Sequence, residues 1–168
     1  MKYARLLARL AIGGMFAAHG TQKLLGWFDG PGIEGTTGMM GKLGLAPART
    51  NALAAGASET FGGIAIALGA ATPLAATSLI ATMTTAIRTV HLKNGFFTTN
   101  GGYEYNLTII AALLLLADAG PGPISIDAAF GIEESGPGVA LATLAAGVLG
   151  STVTLAAAKA AHANANAA

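Results

Sequence analysis

The sequence predicts an all-α membrane protein: a four-helix transmembrane bundle followed by an additional C-terminal transmembrane helix. Three observations carry that expectation. Only 10% of the 168 residues are charged while 53% are hydrophobic, against roughly a quarter charged in an ordinary soluble domain. Five apolar runs, at 6–25, 51–71, 74–92, 105–117 and 138–158, approach or reach the ~20 residues that cross a hydrocarbon core. None of them carries the wide polar stripe with which a soluble bundle helix meets water.

The first run follows a basic start, as a secretory signal would. However, Arg9 interrupts it, it continues into "TQKLLGWF", and no small-x-small cleavage site follows, so a retained first helix is expected. "GWFDGPGIEGTTGMMGKLGLAP", residues 26–47, is too glycine-rich and irregular to lie in lipid unless it sits at the interface or under protein. Thr72-Pro73 separates the second and third runs by a tight turn, because proline cannot continue a helix, and predicts an antiparallel hairpin. The fourth run is short and needs its flanking Tyr103, Tyr105 and Asn106 to reach the headgroups. Residues 118–138 form a second polar connection. In the fifth run Gly138, Ala142, Ala146, Gly150, Thr154 and Ala158 recur every four residues, a ribbon that predicts helix–helix contact with the bundle or with another subunit. The expected division is a four-helix domain at 4–127, a linker at 128–137, the extra apolar helix at 138–158 and a disordered tail at 159–168.

Composition also excludes function classes. The net charge is +1 and the basic residues are scattered, so the electrostatic footprint of a nucleic-acid partner is absent. Without cysteine there are no disulfides, thiolate nucleophiles or Cys-based zinc sites. His19, His91 and His162 show no HExxH-type spacing, so no metal site is indicated.

Following the chain back and forth across a bilayer gathers most of the polar side chains at one face. His19, Gln22 and Lys23 end the first run, Arg88, His91 and Lys93 end the third, and Asn94, Tyr103 and Glu104 lead into the fourth. The opposite face, at Thr72-Pro73, is expected to carry none. His19, Gln22 and Lys23 share one helical side through their three- and four-residue spacings, as do Arg88 and His91. Glu59 is the sharpest single residue: a carboxylate well inside an apolar run faces the bundle interior and needs a partner or a proton. Lys23 and Arg88 are its candidate partners.

This grouping suggests a functional site at one membrane face. Glu59, His91 and Glu104 are the candidates for moving protons, with His19, Gln22, Lys23, Arg88, Asn94 and Tyr103 as the groups that hold a ligand. Plainer roles compete for several of them. Lys42, Arg49 and Lys93 can snorkel to headgroups, Gln22 can join helices, Arg88 can serve only to neutralise Glu59, and Phe96, Phe97, Tyr103 and Tyr105 can anchor at the interface. Gly95, Gly101 and Gly102 suit turns, and Arg5 and Arg9 are expected to set topology or meet lipid phosphates. Counting basic residues near helix ends puts the polar face in the cytoplasm and the N-terminus outside.

"RLAIGGMFAAHGTQKLLGWF", "ASETFGGIAIALGAATPLAA", "VHLKNGFFTTNGGYEYNL" and the later "GPGPISID" together resemble the DoxX family of small bacterial and archaeal membrane proteins. The resemblance covers 5–127 and leaves the fifth run outside. It implies a four-helix domain of the cell membrane with its signature at His19, Gly20 and Lys23, at Glu59, and at His91, Asn94, Gly95, Phe96, Gly102, Tyr103 and Glu104. It also implies a link to thiosulfate:quinone oxidoreduction or to oxidative-stress complexes, and hence a quinone as the ligand of the polar site and a soluble or membrane redox partner. A non-catalytic scaffold for a redox complex is the alternative. Transport is disfavoured by the small number of helices and the lack of an inverted repeat.

Overall fold

Helices account for every regular element in the computed structural model, which describes the backbone of residues 2–167 and the side chains of 3–164. They are α1 (Lys2–Leu25), α2 (Gly32–Lys42), α3 (Ala48–Leu68), α4 (Thr72–Ala86), α5 (Glu104–Ala119), the single turn α6 (Ile126–Phe130) and α7 (Pro137–Ala167). A π turn at Ile87–His91 continues α4. The four expected bundle helices are present as α1, α3, α4 and α5, and the expected hairpin joins α3 to α4 through a left-handed Gly69.

The tightest contact pairs α1 with α3. A Cβ at Gly13 would overlap the backbone of Gly63 and Ala67, and one at Gly20 would overlap Thr60. Small residues therefore let these two backbones approach closely. Phe16, Ile66, Leu79, Ile80 and Leu113 fill the centre where α1, α3, α4 and α5 meet.

Three expectations change. The 26–47 connection contains α2, whose Thr36 hydroxyl reaches the Lys23 carbonyl at the end of α1. The fifth apolar helix belongs to the bundle, packed along α4. Its contact ribbon is Thr143, Gly147 and Ser151; of the predicted set, Gly150 faces Ala81 and Ala158 is buried, while Ala142 and Ala146 point outward. Four residues advance about 400° around a helix of 3.6 residues per turn, so a four-residue repeat drifts about 40° per step and the predicted set of six cannot all stay on one face. Gly147 sets the register, because a side chain there would strike Ile80. Finally, α7 continues to Ala167 through the stretch expected to be a disordered tail, of which Ala168 lies outside the described residues.

The Thr72-Pro73 end carries polar chemistry after all. Arg5 donates to the Ala119 carbonyl at 2.6 Å, and Arg9, only 1% exposed, donates to the carbonyls of Pro121 and Ile124. The Asp127 carboxylate accepts from the backbone N–H groups of Ala71 and Thr72 and from the Thr72 hydroxyl, at 2.7, 3.0 and 2.8 Å. These bonds clasp the 118–127 connection onto α1 and onto the α3–α4 hairpin. Arg5 thus satisfies a carbonyl freed at the end of α5 and Arg9 two carbonyls of the connection beyond it, in place of the lipid phosphates expected for them.

Among the described residues one helix, α7, is long and apolar enough to cross a membrane. α4 and α5 have 15 and 16 residues, α1 carries Arg5, Arg9 and Lys23, and α3 dilutes its apolar residues with Asn, Ser, Thr and Glu. The outward surface is nevertheless oily: Leu7 and Leu10 of α1, Phe61 and Leu68 of α3, Leu115 of α5 and Leu149 of α7 are all exposed.

Candidate functional site

At the end of the bundle opposite the clasp, the helices diverge and leave a cavity of about 640 Å³ between α1, α3, α4 and α5. That volume lies within the range of roughly 300–1,000 Å³ typical of small-molecule sites. α2 and the turn at 43–45 cover one side, and Thr154 brings α7 to its edge. Met15, Met39, Met40, Met83, Phe16 and Ile109 make the wall largely apolar, and unbranched thioether side chains adapt readily to the shape of a guest.

A few polar groups converge on this apolar space. Lys23 of α1 and Glu59 of α3 form an ion pair, the Glu59 side chain 5% and the Lys23 side chain 21% exposed. Burial makes each charge costly alone, so the pair holds the end of α1 to the middle of α3. Gln22 donates its amide to the Phe28 carbonyl and turns its oxygen to His19 Nδ1, 3.1 Å away. His91 Nδ1 lies 2.7 Å from the Gly101 carbonyl. An oxygen acceptor at each Nδ1 fixes the proton there and leaves Nε2 as the free nitrogen of both rings.

Asn106 completes the group. It is 4% exposed, yet its amide donates only to the Met83 thioether at 3.4 Å, a weak acceptor, and its carbonyl has no partner among the described residues. Beside it the Tyr105 hydroxyl donates to the Met15 thioether. Across the cavity, Ser58 lies 2.7 Å from the Ser78 hydroxyl and 2.9 Å from that of Thr82.

Of the residues singled out in the sequence, His19, Lys23, Glu59 and His91 line the cavity, and Gln22 orients His19. Arg88 does not pair with Glu59; it donates to Ser151 at 3.3 Å and Thr152 at 2.9 Å on α7. Glu104, Asn94 and Tyr103 shape the 92–103 loop instead of lining the cavity. Glu104 accepts from the Thr98 N–H at 2.8 Å, Asn94 donates to Gly101 at 3.1 Å, and the Tyr103 ring meets Phe96 edge-on. Sequence reasoning passed over Asn106 and the Ser58–Ser78–Thr82 hydroxyls. Ser78, Thr82, Thr85 and Thr89 follow helical spacing along one side of α4 and its π turn, a polar stripe inside an apolar run that periodicity alone would have exposed.

The DoxX family model matches residues 4–92, more than half of the chain. That span holds His19, Lys23, Glu59 and His91, whereas α5 with Asn106, the 118–127 connection with Asp127 and α7 lie beyond it. No curated protein and no solved structure matches the chain.

Proposed function

Because the chain belongs to the DoxX family, which points to a membrane protein, we propose that it is a small membrane subunit of a quinone-linked redox system and that its cavity holds the quinone head. The observation that carries this reading is Asn106. A buried amide with only a thioether for a partner costs on the order of 1–3 kcal/mol. A ligand that both accepts from the amide and otherwise prefers apolar surroundings offsets that cost, and a quinone carbonyl on a hydrophobic ring has this combination. The methionine-rich wall accommodates the ring.

Reduction of a quinone to a quinol takes up two electrons and two protons. Glu59, salt-bridged to Lys23, and the Nε2 atoms of His19 and His91 are the titratable groups of the cavity wall that can pass protons. The chain has no cysteine, and among the described residues no group of three His, Asp or Glu gathers to hold a metal. In this reading the electrons come from the reductant itself or from a partner subunit with its own cofactor.

A scaffold reading has one observation in its favour: Lys23 with Glu59, His19 with Gln22, and His91 with Gly101 are already partnered inside the protein, as a purely structural network would be. The two readings separate in a titration of the detergent-solubilised protein with a short-tailed quinone, followed through quenching of its single tryptophan. Saturable quenching that weakens at least tenfold in Asn106→Leu and in Glu59→Gln is expected of a site. Identical, non-saturating quenching in all three proteins favours the scaffold.

A further inference from the structure

A second, smaller cavity of about 380 Å³ opens between the turn at 43–45 and the last turns of α7. Leu43, Leu45, Leu155 and Ala158 give it an apolar floor, and the exposed Lys159 and His162 stand beside them. The ion pairs among the described residues are Lys23–Glu59 and Arg49–Glu34, so Lys159 and the neighbouring exposed Lys42 carry no counter-charge.

The position along α7 is informative. A hydrocarbon core of about 30 Å takes about 20 residues at 1.5 Å each. From Pro137 onward α7 carries no charged side chain until Lys159. If α7 spans the bilayer from its start, Lys159 emerges at the level of the lipid phosphates, directly above an apolar groove. A free anion has no use for that groove, and a neutral lipid has none for the uncompensated cation.

We propose that this groove is a binding site for one anionic phospholipid, its acyl chain against Leu43, Leu45 and Leu155 and its phosphate at Lys159, with His162 as a second donor. Leu43 and Leu45 also line the larger cavity, so the lipid braces the wall that separates the two. This site is independent of whether the larger cavity takes a quinone.

The test is native mass spectrometry of the full chain released from detergent micelles, titrated separately with phosphatidylglycerol and with phosphatidylcholine of the same acyl composition. One phosphatidylglycerol is expected to be retained at lipid concentrations that leave phosphatidylcholine unbound. Its affinity should fall about fivefold in Lys159→Gln and further in the Lys159→Gln/His162→Gln double variant, with inorganic phosphate failing to displace it. Both substitutions lie on the exposed surface of α7, so folding is not at stake. Equal retention of the two lipids, or unchanged affinity in the double variant, overturns the proposal. Displacement of the lipid by inorganic phosphate overturns it as well, since the site would then be an anion site without an acyl groove.

Discussion

Asn106 and Glu59 are both buried polar side chains, but only Glu59 has a strong partner inside the protein. That difference makes Asn106 the position where stability and ligand binding should part. Replacing an under-bonded buried amide by a leucine of similar size removes a desolvation cost, so Asn106→Leu is expected to leave the melting temperature unchanged or raise stability by about 1 kcal/mol while abolishing quinone retention. Thermal unfolding in detergent measures the first effect and lipid extraction the second. The Lys23–Glu59 pair should behave in the opposite way. A double-mutant cycle with Lys23→Met and Glu59→Gln is expected to give a coupling of about 1–3 kcal/mol, below the full penalty of about 3–5 for breaking a buried pair because Lys23 keeps some contact with water. Additive single effects would show that the two charges are independent. Glu59 was legible in the sequence because a carboxylate in an apolar run admits few ordinary explanations. Asn106 was not, since at the edge of a short run it read as a headgroup-level extension, and only the fold shows it buried beside Met83.

Between elements, the decisive contacts are made by what small side chains leave out. Gly63 sits where a Cβ would meet Gly13, Phe16 and Ala17 of α1, so Gly63→Leu is expected to cost at least about 3 kcal/mol through overpacking and to lower the yield of folded protein sharply. Ala142→Leu, on the outward side of α7, is the matched control and should cost under about 0.5 kcal/mol. Equal losses would mean that α7 turns its predicted four-residue ribbon inward after all. The sequence made the number, order and hairpin of the bundle helices readable through hydropathy and Thr72-Pro73. It could not choose the register of α7, because nearly every side of that alanine-rich helix is small enough to pack. Nor did it reveal the clasp: the bonds of Arg5, Arg9 and Asp127 span residues far apart in the chain, and no local spacing announces them. The Glu104 and Arg88 assignments failed to gather at the cavity for a related reason. Helical phase located their end of the bundle, but a π turn and a folded loop decided which way each side chain faced.

For the whole molecule, the fold sharpens the question of orientation. Arg5 and Arg9 are consumed by the clasp, which leaves Lys42, Lys93 and Lys159 as exposed cations at the cavity end, whereas Asp118, Glu133 and Glu134 are exposed at the other. The positive-inside bias then favours a cavity end facing the cytoplasm. Because the chain lacks cysteine, single-cysteine labelling is clean. In intact cells a membrane-impermeant maleimide is expected to modify Glu133→Cys and to spare Lys93→Cys until the membrane is permeabilised; the reverse pattern would invert the topology. The central claim concerns what the cavity holds, and the quinone content of purified protein tests it most directly. Protein isolated from native membranes in mild detergent should contain about one quinone per chain, and a folded Glu59→Gln variant prepared identically should have lost it. Equal trace amounts in both proteins would contradict the claim.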